Sequence, residues 1–173
     1  ACSLSKEFVN FWEGPNLLMQ KFPAEEFTAT TKLTFTAKQD GDQAGLIVMG
    51  WVYSYLSVRK AGDKFILQQA VCKDAELKNP EQVKELASFP VEYLKMPGVA
   101  DNESKTVYLQ VKVRKGAVCS FDYSLDGKKY TTVGENFTAR QGKWIGAKVG
   151  VFCVTPNEGN RGWADVDWFR MTK

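Results

Sequence analysis

The acidic pair in the sequence ADVDWF is the arrangement in this chain that comes nearest to a catalytic centre. Asp165 and Asp167 lie two residues apart, so on a β-strand they point to the same face, roughly 6.5 to 7 Å apart at the backbone. Glycoside hydrolysis needs only two such carboxylates at a fixed separation. The favoured interpretation is different: both residues belong to the solvated face of an alternating strand, whose other face is formed by Ala164, Val166 and Trp168.

The absence of histidine restricts the chemistry further. A chain without histidine cannot form histidine-based triads, H-E-x-x-H zinc sites or imidazole acid–base pairs. The sequence also contains no G-x-S-x-G nucleophile elbow, no G-x-x-x-x-G-K-[ST] phosphate loop and no G-x-G-x-x-G dinucleotide fingerprint. No catalytic residue is therefore assigned, and this chain alone is not expected to be an active enzyme.

Three aromatic residues at a spacing of two, Trp51, Tyr53 and Tyr55, are the candidate ligand-binding residues. On a strand this spacing places the rings on one face, and Arg59 follows with the same parity. Flat rings bind the C–H faces of sugar rings while polar neighbours bind the hydroxyls. These four residues are therefore predicted to bind carbohydrate. The alternative, equally weighted, is that the rings fill the core or bridge to another domain.

The four cysteines, Cys2, Cys72, Cys119 and Cys153, contain no C-x-x-C pair, which argues against a zinc or thioredoxin-like site. Cys72, Cys119 and Cys153 lie within apolar strand patterns, so we expect them to be buried with free thiols. A disulfide between two neighbouring strands is the alternative.

The charge balance bears on the class of partner. Lysine and arginine outnumber aspartate and glutamate by 23 to 20, and the charges alternate along the chain instead of forming a basic stripe. Nucleic acid is therefore not expected as a partner. No apolar run reaches the roughly eighteen residues that a membrane-spanning helix needs. The sequence leaves the location open and favours a periplasmic or extracellular one.

Strand-type periodicity dominates the elements that must position these residues. Residues 27–37 alternate between apolar and polar side chains as a half-buried strand does, whereas residues 44–52 form a continuous apolar run typical of a central strand covered on both faces. Residues 44–73 predict an antiparallel meander, and residues 106–124 predict a hairpin. Further strands are predicted at 128–134, 148–155 and 164–172.

The segment 79–90 fits two structures, because Asn79 could cap a helix beginning at Pro80, yet residues 83–87 alternate as in a short edge strand. Elsewhere no long amphipathic helix separates the strands, which argues against a parallel α/β sheet. The sequence thus predicts an all-β fold, a two-sheet antiparallel β-sandwich or jelly roll, in a single domain over residues 1–173.

Five blocks of sequence carry a resemblance to a known family: NLLMQKFPAEEFTATTKLTF, AGLIVMGWVYSYLSVRK, VYLQVKVRKGAVCSFDYSLDGKKY, FTARQGKWIGAKVGVFC and GWADVDWFR. In this order, from Asn16 to Arg170, they are similar to the C-terminal sandwich domain of glycoside hydrolase family 43 β-xylosidases and α-arabinofuranosidases. The resemblance implies a concanavalin A-like jelly roll. It also implies a strand between Val83 and Ala87, which favours the strand over the helix there.

The resemblance also implies a function. In that family a five-bladed β-propeller holds the catalytic carboxylates, and the sandwich packs against the propeller. The chain therefore resembles a non-catalytic accessory module of a hemicellulose-degrading glycoside hydrolase, whose partners are the propeller catalytic domain and plant hemicellulose. The alternatives are a free-standing carbohydrate-binding module and, less favoured, a small sandwich-fold glycosidase.

A structural metal is a further expectation from the resemblance. In concanavalin A-like sandwiches an aspartate on the last strand, just before an aromatic residue and an arginine, often helps to hold structural calcium. The sequence DWFR, which begins at Asp167, has this pattern. Calcium takes several oxygen ligands, and Asp167 is the one that the sequence suggests.

Overall fold

The structure is a computed structural model that describes residues 1–4, 9–14, 17–94, 102–141 and 146–173. These residues form thirteen strands and one short 3-10 turn at Ala75–Leu77. The strands are β1 Ser3–Leu4, β2 Leu18–Lys21, β3 Phe27–Ala37, β4 Gln43–Met49, β5 Tyr53–Ala61, β6 Lys64–Cys72, β7 Gln82–Pro90, β8 Glu92–Leu94, β9 Asn102–Arg114, β10 Val118–Ser124, β11 Thr131–Thr138, β12 Lys148–Thr155 and β13 Trp163–Thr172.

Two sheets face each other. The first sheet has the strand order β1-β12-β4-β5-β6-β7, with β2 also paired to β12. The second has the order β11-β10-β9-β3-β13, with β8 also paired to β9. Strand pairs are antiparallel except β1 with β12, within the part of the chain that the structure describes. The predicted all-β sandwich, the meander β4–β5–β6 and the hairpin β9–β10 are confirmed.

The inner faces of the two sheets form the core, as the alternating sequences predict. In β3 the residues Phe27, Ala29, Leu33 and Phe35 are all at most 1% exposed, while Thr28, Thr30, Lys32 and Thr34 are partly exposed. Its neighbour β9 buries every second residue in the same way, from Val107 to Val113. Period-two burial of this kind fixes the register, because a slip of one residue would turn the apolar side chains towards solvent.

The first sheet has a second apolar layer on its outer face. Ile47 and Phe152 lie there, and Tyr53, Tyr55, Ala70, Cys72 and Val154 share the layer. Their neighbours of opposite parity, such as Leu46 and Leu56, belong to the core between the sheets. Because both faces of β4 are covered, residues 44–49 of this strand are continuously apolar rather than alternating. The prediction of a central strand covered on both faces is confirmed.

The ambiguous segment 79–90 is a strand, as the resemblance implies. Residues Gln82–Pro90 form β7, which pairs with β6 at the edge of the first sheet. No helix forms at Pro80; the 3-10 turn lies before it, and Asp74 and Lys78 at its ends adopt left-handed conformations with φ of 52° and 61°. Most of β7 is exposed, as suits an edge strand.

A β-bulge in β13 changes which side chains face the core. The register of β13 against β3 shifts between Val166 and Trp168, so Asp167 is an extra residue. After the extra residue, side chains that would have pointed to the inner face of the sheet point to the outer face, and the reverse. Trp168 therefore lies on the outer face, 6.1 Å from the ring of Tyr108, whereas Phe169 packs against the core. The prediction that Trp168 shares the inner face is wrong for this reason.

The cysteine predictions are partly confirmed. Cys72 and Cys119 are buried and free, and burial raises the pKa of the Cys119 thiol to about 12, which keeps it protonated. Cys153, expected to be a free thiol, instead forms a disulfide with Cys2, with a Cα–Cα distance of 4.5 Å. The strand pairing explains this disulfide. Strand β1 pairs with β12, and Ser3 lies opposite Val154, so the residues just before them, Cys2 and Cys153, are neighbours.

Among the described residues, no helix has the length and apolar character needed to cross a lipid bilayer.

Candidate functional site

The N-terminal residues 9–14, here called the strap, lie on the outer apolar layer of the first sheet. Phe11 is 2% exposed, and its ring meets three others edge to face, with centroid distances of 5.9 Å to Tyr53, 5.5 Å to Tyr55 and 4.6 Å to Phe152. Aromatic pairs prefer this geometry because the positive edge of one ring meets the negative face of the other. The strap thus caps the aromatic part of the sheet.

A half-buried carboxylate organises the same cluster. Glu81, which lies just before β7, accepts hydrogen bonds from the Tyr53 hydroxyl at 2.5 Å and the Tyr55 hydroxyl at 2.8 Å, one on each carboxylate oxygen. The Tyr53 hydroxyl also accepts a hydrogen bond from the backbone N–H of Phe11 at 2.9 Å. The strap, strand β5 and the segment before β7 are therefore joined through one tyrosine.

Burial controls the protonation of these groups. It raises the pKa of the Glu81 carboxyl above its ordinary value, and the two tyrosine hydrogen bonds oppose that shift. Burial also raises the pKa of Tyr53 and Tyr55 well above the ordinary phenol value, and the neighbouring Glu81 charge adds to the effect. Both phenols remain protonated donors at neutral pH.

The strap is held by polar contacts as well as by Phe11. Asn10 is 2% exposed, and its side-chain amide donates to the carbonyls of Ala75 at 2.8 Å and Asn79 at 2.9 Å. Its Oδ1 accepts from the backbone N–H of Trp12 at 3.0 Å. A buried amide with both donor and acceptor satisfied holds one geometry, so the strap has a defined position on the sheet.

The four residues predicted to bind carbohydrate occupy different environments. Tyr53 and Tyr55 are on one face of β5, as predicted, and both are 0% exposed. Their rings could touch a sugar only after the strap had left. Trp51 lies in the bend between β4 and β5, is half-buried, and stacks on Trp12 of the strap with centroids 5.9 Å apart and planes 18° apart. Trp12 is 38% exposed, so the two tryptophans form a pair at the surface.

Arg59 lies at the far end of β5, away from the aromatic cluster. Its Nε donates to Gln68 Oε1 at 2.9 Å, and its guanidinium contacts the Glu85 carboxylate at 3.0 Å. Gln68 in turn donates to Gln43 Oε1 at 3.1 Å. The guanidinium is thus part of a polar network on the outer face of the first sheet, separate from the tryptophan pair.

A polar groove, here called the edge groove, opens where the edge strands β7 and β11 of the two sheets meet. A cavity of about 440 Å³ is lined by Val52, Val71, Lys73, Asp74, Gln82, Glu135, Asn136, Phe137, Thr138 and Arg140. A second cavity of about 170 Å³ shares Val71, Gln82 and Glu135 with it and extends along Val83 and Lys84. The sequence did not point to this groove, because its residues come from distant segments without a common pattern.

An amide clamp fixes one wall of the edge groove. Gln69 points between the sheets, is 3% exposed, accepts from the backbone N–H of Glu135 and donates to its carbonyl, both at 2.8 Å. Beside it Gly134 has φ of 72°, and a Cβ there would lie 2.2 Å from Gln69 Oε1. The clamp therefore requires glycine at this position and sets the position of Glu135 at the groove.

The acidic pair of β13 lies on an exposed face, as the favoured interpretation predicts. Asp165 accepts a hydrogen bond from the Trp163 indole at 3.1 Å, and Asp167 pairs with the ammonium of Lys32 at 2.5 Å. This ion pair raises the Lys32 pKa through the hydrogen bond and charge of Asp167. Each carboxylate thus has a structural partner on its own sheet.

The surroundings of Asp167 do not fit calcium. Its carboxylate already contacts an ammonium group, which repels a cation, whereas calcium prefers six to eight oxygen ligands. In the described ranges, no three histidine, cysteine, aspartate or glutamate side chains come together in a way that could hold a metal ion. Calcium at Asp167 stays a prediction that this geometry does not favour.

Comparison with known proteins relates the fold to a family. The sequence model of the family described as the β-xylosidase C-terminal concanavalin A-like domain matches residues 4–172. A curated β-xylosidase of Formosa agariphila is 26% identical over 163 residues, which are 92% of this chain and 24% of that protein. The chain thus spans about a quarter of the length of this curated relative.

Two solved structures show the same fold. A bifunctional GH43-CE protein of Bacteroides eggerthii superposes with a TM-score of 0.74 at 19% identity, covering 98% of this chain and 20% of that one. The GH43 protein BlXynB of Bacillus licheniformis superposes with a TM-score of 0.63 at 22% identity, covering 90% of this chain and 29% of that one. In both cases the shared part is a minor fraction of the longer chain.

Proposed function

The chain belongs to the family of β-xylosidase C-terminal concanavalin A-like domains, and from this premise we propose that it serves as a non-catalytic accessory module of a hemicellulose-degrading glycoside hydrolase. In this role the sandwich packs against a family 43 β-propeller catalytic domain, and the propeller supplies the catalytic carboxylates. The observation that carries the proposal is the family match over residues 4–172.

The environment of the acidic residues supports the proposal. Glycoside hydrolysis needs one carboxyl group that donates a proton and another that acts as base or nucleophile, both facing the bound sugar. Glu81 has a raised pKa, but each of its carboxylate oxygens already accepts a hydrogen bond from a tyrosine hydroxyl. Asp165 and Asp167 are bound to Trp163 and Lys32. None of these three carboxyls is arranged as half of a hydrolytic pair.

Carbohydrate contact is a second candidate function, and the tryptophan pair favours it. Trp12 and Trp51 are stacked and partly exposed, and stacked indoles at a surface offer the apolar faces on which sugar rings bind. A free-standing carbohydrate-binding module would use the same surface without a catalytic partner.

Two measurements test the accessory role. The isolated chain should release no xylose or arabinose from 4-nitrophenyl glycosides above the buffer blank. In the enzyme that carries this domain, deletion of the sandwich should lower the melting temperature of the catalytic domain, because an interdomain interface is lost. Turnover by the isolated chain that disappears in Asp165→Asn or Asp167→Asn would show that the chain is itself a glycosidase.

Affinity electrophoresis in gels containing arabinoxylan tests the second candidate. Retardation that Trp12→Ala and Trp51→Ala abolish would support sugar binding at the tryptophan pair. Retardation unchanged in both variants would rule out this surface.

A further inference from the structure

The edge groove combines an apolar floor with polar walls. Val52 and Phe137 are 7% and 6% exposed and, with the partly buried Val71, form the floor. The walls carry amide, carboxylate and basic side chains. We propose that the edge groove binds a neutral oligosaccharide of the xylan type. The inference rests on the proposed function and assigns it a second site, distinct from the tryptophan pair.

The wall side chains are free to bind a ligand. Within the described part of the chain, no hydrogen bond or ion pair engages the side chains of Asp74, Gln82, Asn136 and Arg140, all of which are exposed. Saccharide hydroxyls both donate and accept, so they are bound by mixed sets of amide, carboxylate and guanidinium groups. A wall made only of donors or only of acceptors would not suit them.

The charges on the walls favour a neutral ligand. Lys73 and Arg140 stand against Asp74 and Glu135, and Glu135 is further paired with Lys84 at 3.1 Å. With Lys84, three bases and two acids leave the groove a net charge of only +1, which is too small for a strong field of either sign. A nucleic acid or an acidic peptide would need a larger basic excess than this groove has.

The groove is pre-organised by the clamp described above. Gln69 holds the backbone of Glu135 through two hydrogen bonds of 2.8 Å, and Glu135 precedes Asn136 on β11. On the other side, Gly50 lies against Arg140, since a Cβ at Gly50 would be 1.8 Å from the Arg140 carbonyl oxygen. A backbone that is fixed before binding adds no ordering cost when a ligand arrives, so only the wall side chains lose entropy.

The groove ends close to Trp51. Trp51 lies between Gly50, which contacts Arg140, and Val52, which forms part of the floor. Its carbonyl also accepts a hydrogen bond from the backbone N–H of Ala75, the residue after Asp74. The Trp51 backbone therefore borders the edge groove, whereas its indole packs on Trp12 outside the groove lining.

Calorimetric titration with xylohexaose tests the inference. The unmodified chain should bind it, and the double variant Asn136→Ala/Arg140→Ala should bind at least about tenfold more weakly, because one amide and one charged partner are lost. The matched control is Asn157→Ala/Arg161→Ala, which removes the same residue types at the same spacing from an exposed loop outside the groove. Circular dichroism should show the same fold for all three proteins.

Several outcomes would overturn the inference. One is the absence of binding by the unmodified chain at roughly 5 mM xylohexaose, a concentration that detects even millimolar affinity. Another is equal affinity of the groove variant and the control variant. Affinity lost in Trp51→Ala/Trp12→Ala but kept in the groove variant would move the site to the tryptophan pair. A groove variant that binds sugar normally but lowers the melting temperature of the linked catalytic domain would assign the groove to a protein contact.

The accessory function is judged separately. It depends on glycoside release by the isolated chain and on the melting temperature of the catalytic domain, and neither measurement requires the groove to bind sugar. The inference can thus fail while the proposed function stands.

Discussion

The backbone N–H of Phe11 donates a hydrogen bond of 2.9 Å to the hydroxyl of Tyr53, a residue 42 positions later in the chain, and the two rings meet edge to face. This contact fixes the strap to the outer face of the first sheet. It also explains why a face rich in tyrosine is closed to solvent.

Substitution of Phe11 tests how much the strap contributes to stability. Phe11→Ala should lower the free energy of unfolding by about 2–4 kcal/mol, somewhat less than for a fully enclosed core phenylalanine, because the strap can relax over the gap. Urea denaturation measures the change. Val9→Ala in the same strap, at a side chain that is 56% exposed, should change the unfolding free energy by less than about 0.5 kcal/mol. Equal effects of the two variants would contradict the packing described for Phe11.

Glu81 predicts a pH dependence of stability. Because its pKa is raised in the folded state, the folded protein binds its proton more tightly than the unfolded chain does. The contribution of the protonated Glu81 carboxyl to the free energy of unfolding is therefore complete below the ordinary glutamate pKa. It is lost as the pH rises through the raised pKa of the folded state. Glu81→Gln removes this titration while keeping a side chain that can bond both tyrosine hydroxyls.

The measurement is the difference in unfolding free energy between Glu81→Gln and the unmodified protein, at about pH 4 and about pH 8. The variant should gain in relative stability at the higher pH. A difference that is independent of pH would show that the carboxyl titrates as in the unfolded chain, and a change in the opposite direction would show that folding lowers its pKa.

The disulfide between Cys2 and Cys153 joins residues 151 positions apart. Reduction should lower the free energy of unfolding by about 2–5 kcal/mol, because the unfolded chain regains the freedom that the long loop had lost. Chemical denaturation with and without a phosphine reductant measures this loss, and Cys2→Ser/Cys153→Ser should be insensitive to the reductant. Thiol titration of the denatured, unreduced protein should find the two thiols of Cys72 and Cys119; four would contradict the pairing.

Gly134→Ala should disrupt the clamp between the sheets. A Cβ at this position would lie 2.2 Å from Gln69 Oε1. Gly116 has a similar φ of 76°, but a Cβ added there would have no atom within 4 Å. Both alanine variants incur the left-handed backbone cost of roughly 1–2 kcal/mol, so Gly116→Ala is the matched control. Gly134→Ala should be less stable than Gly116→Ala by a further 1–3 kcal/mol or so, from strain and lost hydrogen bonds. Equal melting temperatures would show that Gln69 moves away without loss.

Asp167 provides a test of the calcium prediction. Since its carboxylate contacts Lys32 at an exposed position, Asp167→Asn should cost at most about 1 kcal/mol, and melting temperatures in EDTA and in calcium should agree. A rise in melting temperature with calcium that Asp167→Asn abolishes would restore Asp167 as a calcium ligand.

Much of the fold follows from local sequence. The alternation in β3 and β9, the continuous apolar run of β4 and the turn between β5 and β6 are properties of neighbouring residues, and the steric rules of extended chains act on neighbours. The burial of Cys72 and Cys119 could be predicted for the same reason, because both lie at inward or covered positions of a regular strand.

The errors and omissions share one cause. The bulge at Asp167, which turned Trp168 outward, depends on how β13 pairs with β3, and the Cys2–Cys153 bond depends on a strand brought back across nearly the whole chain. Neither leaves a periodic trace in its own segment, since pairing between distant strands is decided by the packing of the whole sandwich.

The candidate site divides in the same way. The sequence determined that Trp51, Tyr53, Tyr55 and Arg59 lie close together along the chain, because their spacing is local. Only the tertiary structure decided that Phe11 covers the tyrosines while Trp51 remains at the surface. It likewise decided that the polar residues of β7 and β11 meet in the edge groove. Whether a side chain is exposed depends on which other parts of the chain pack over it. The free energy of that packing comes from residues that are far apart in sequence.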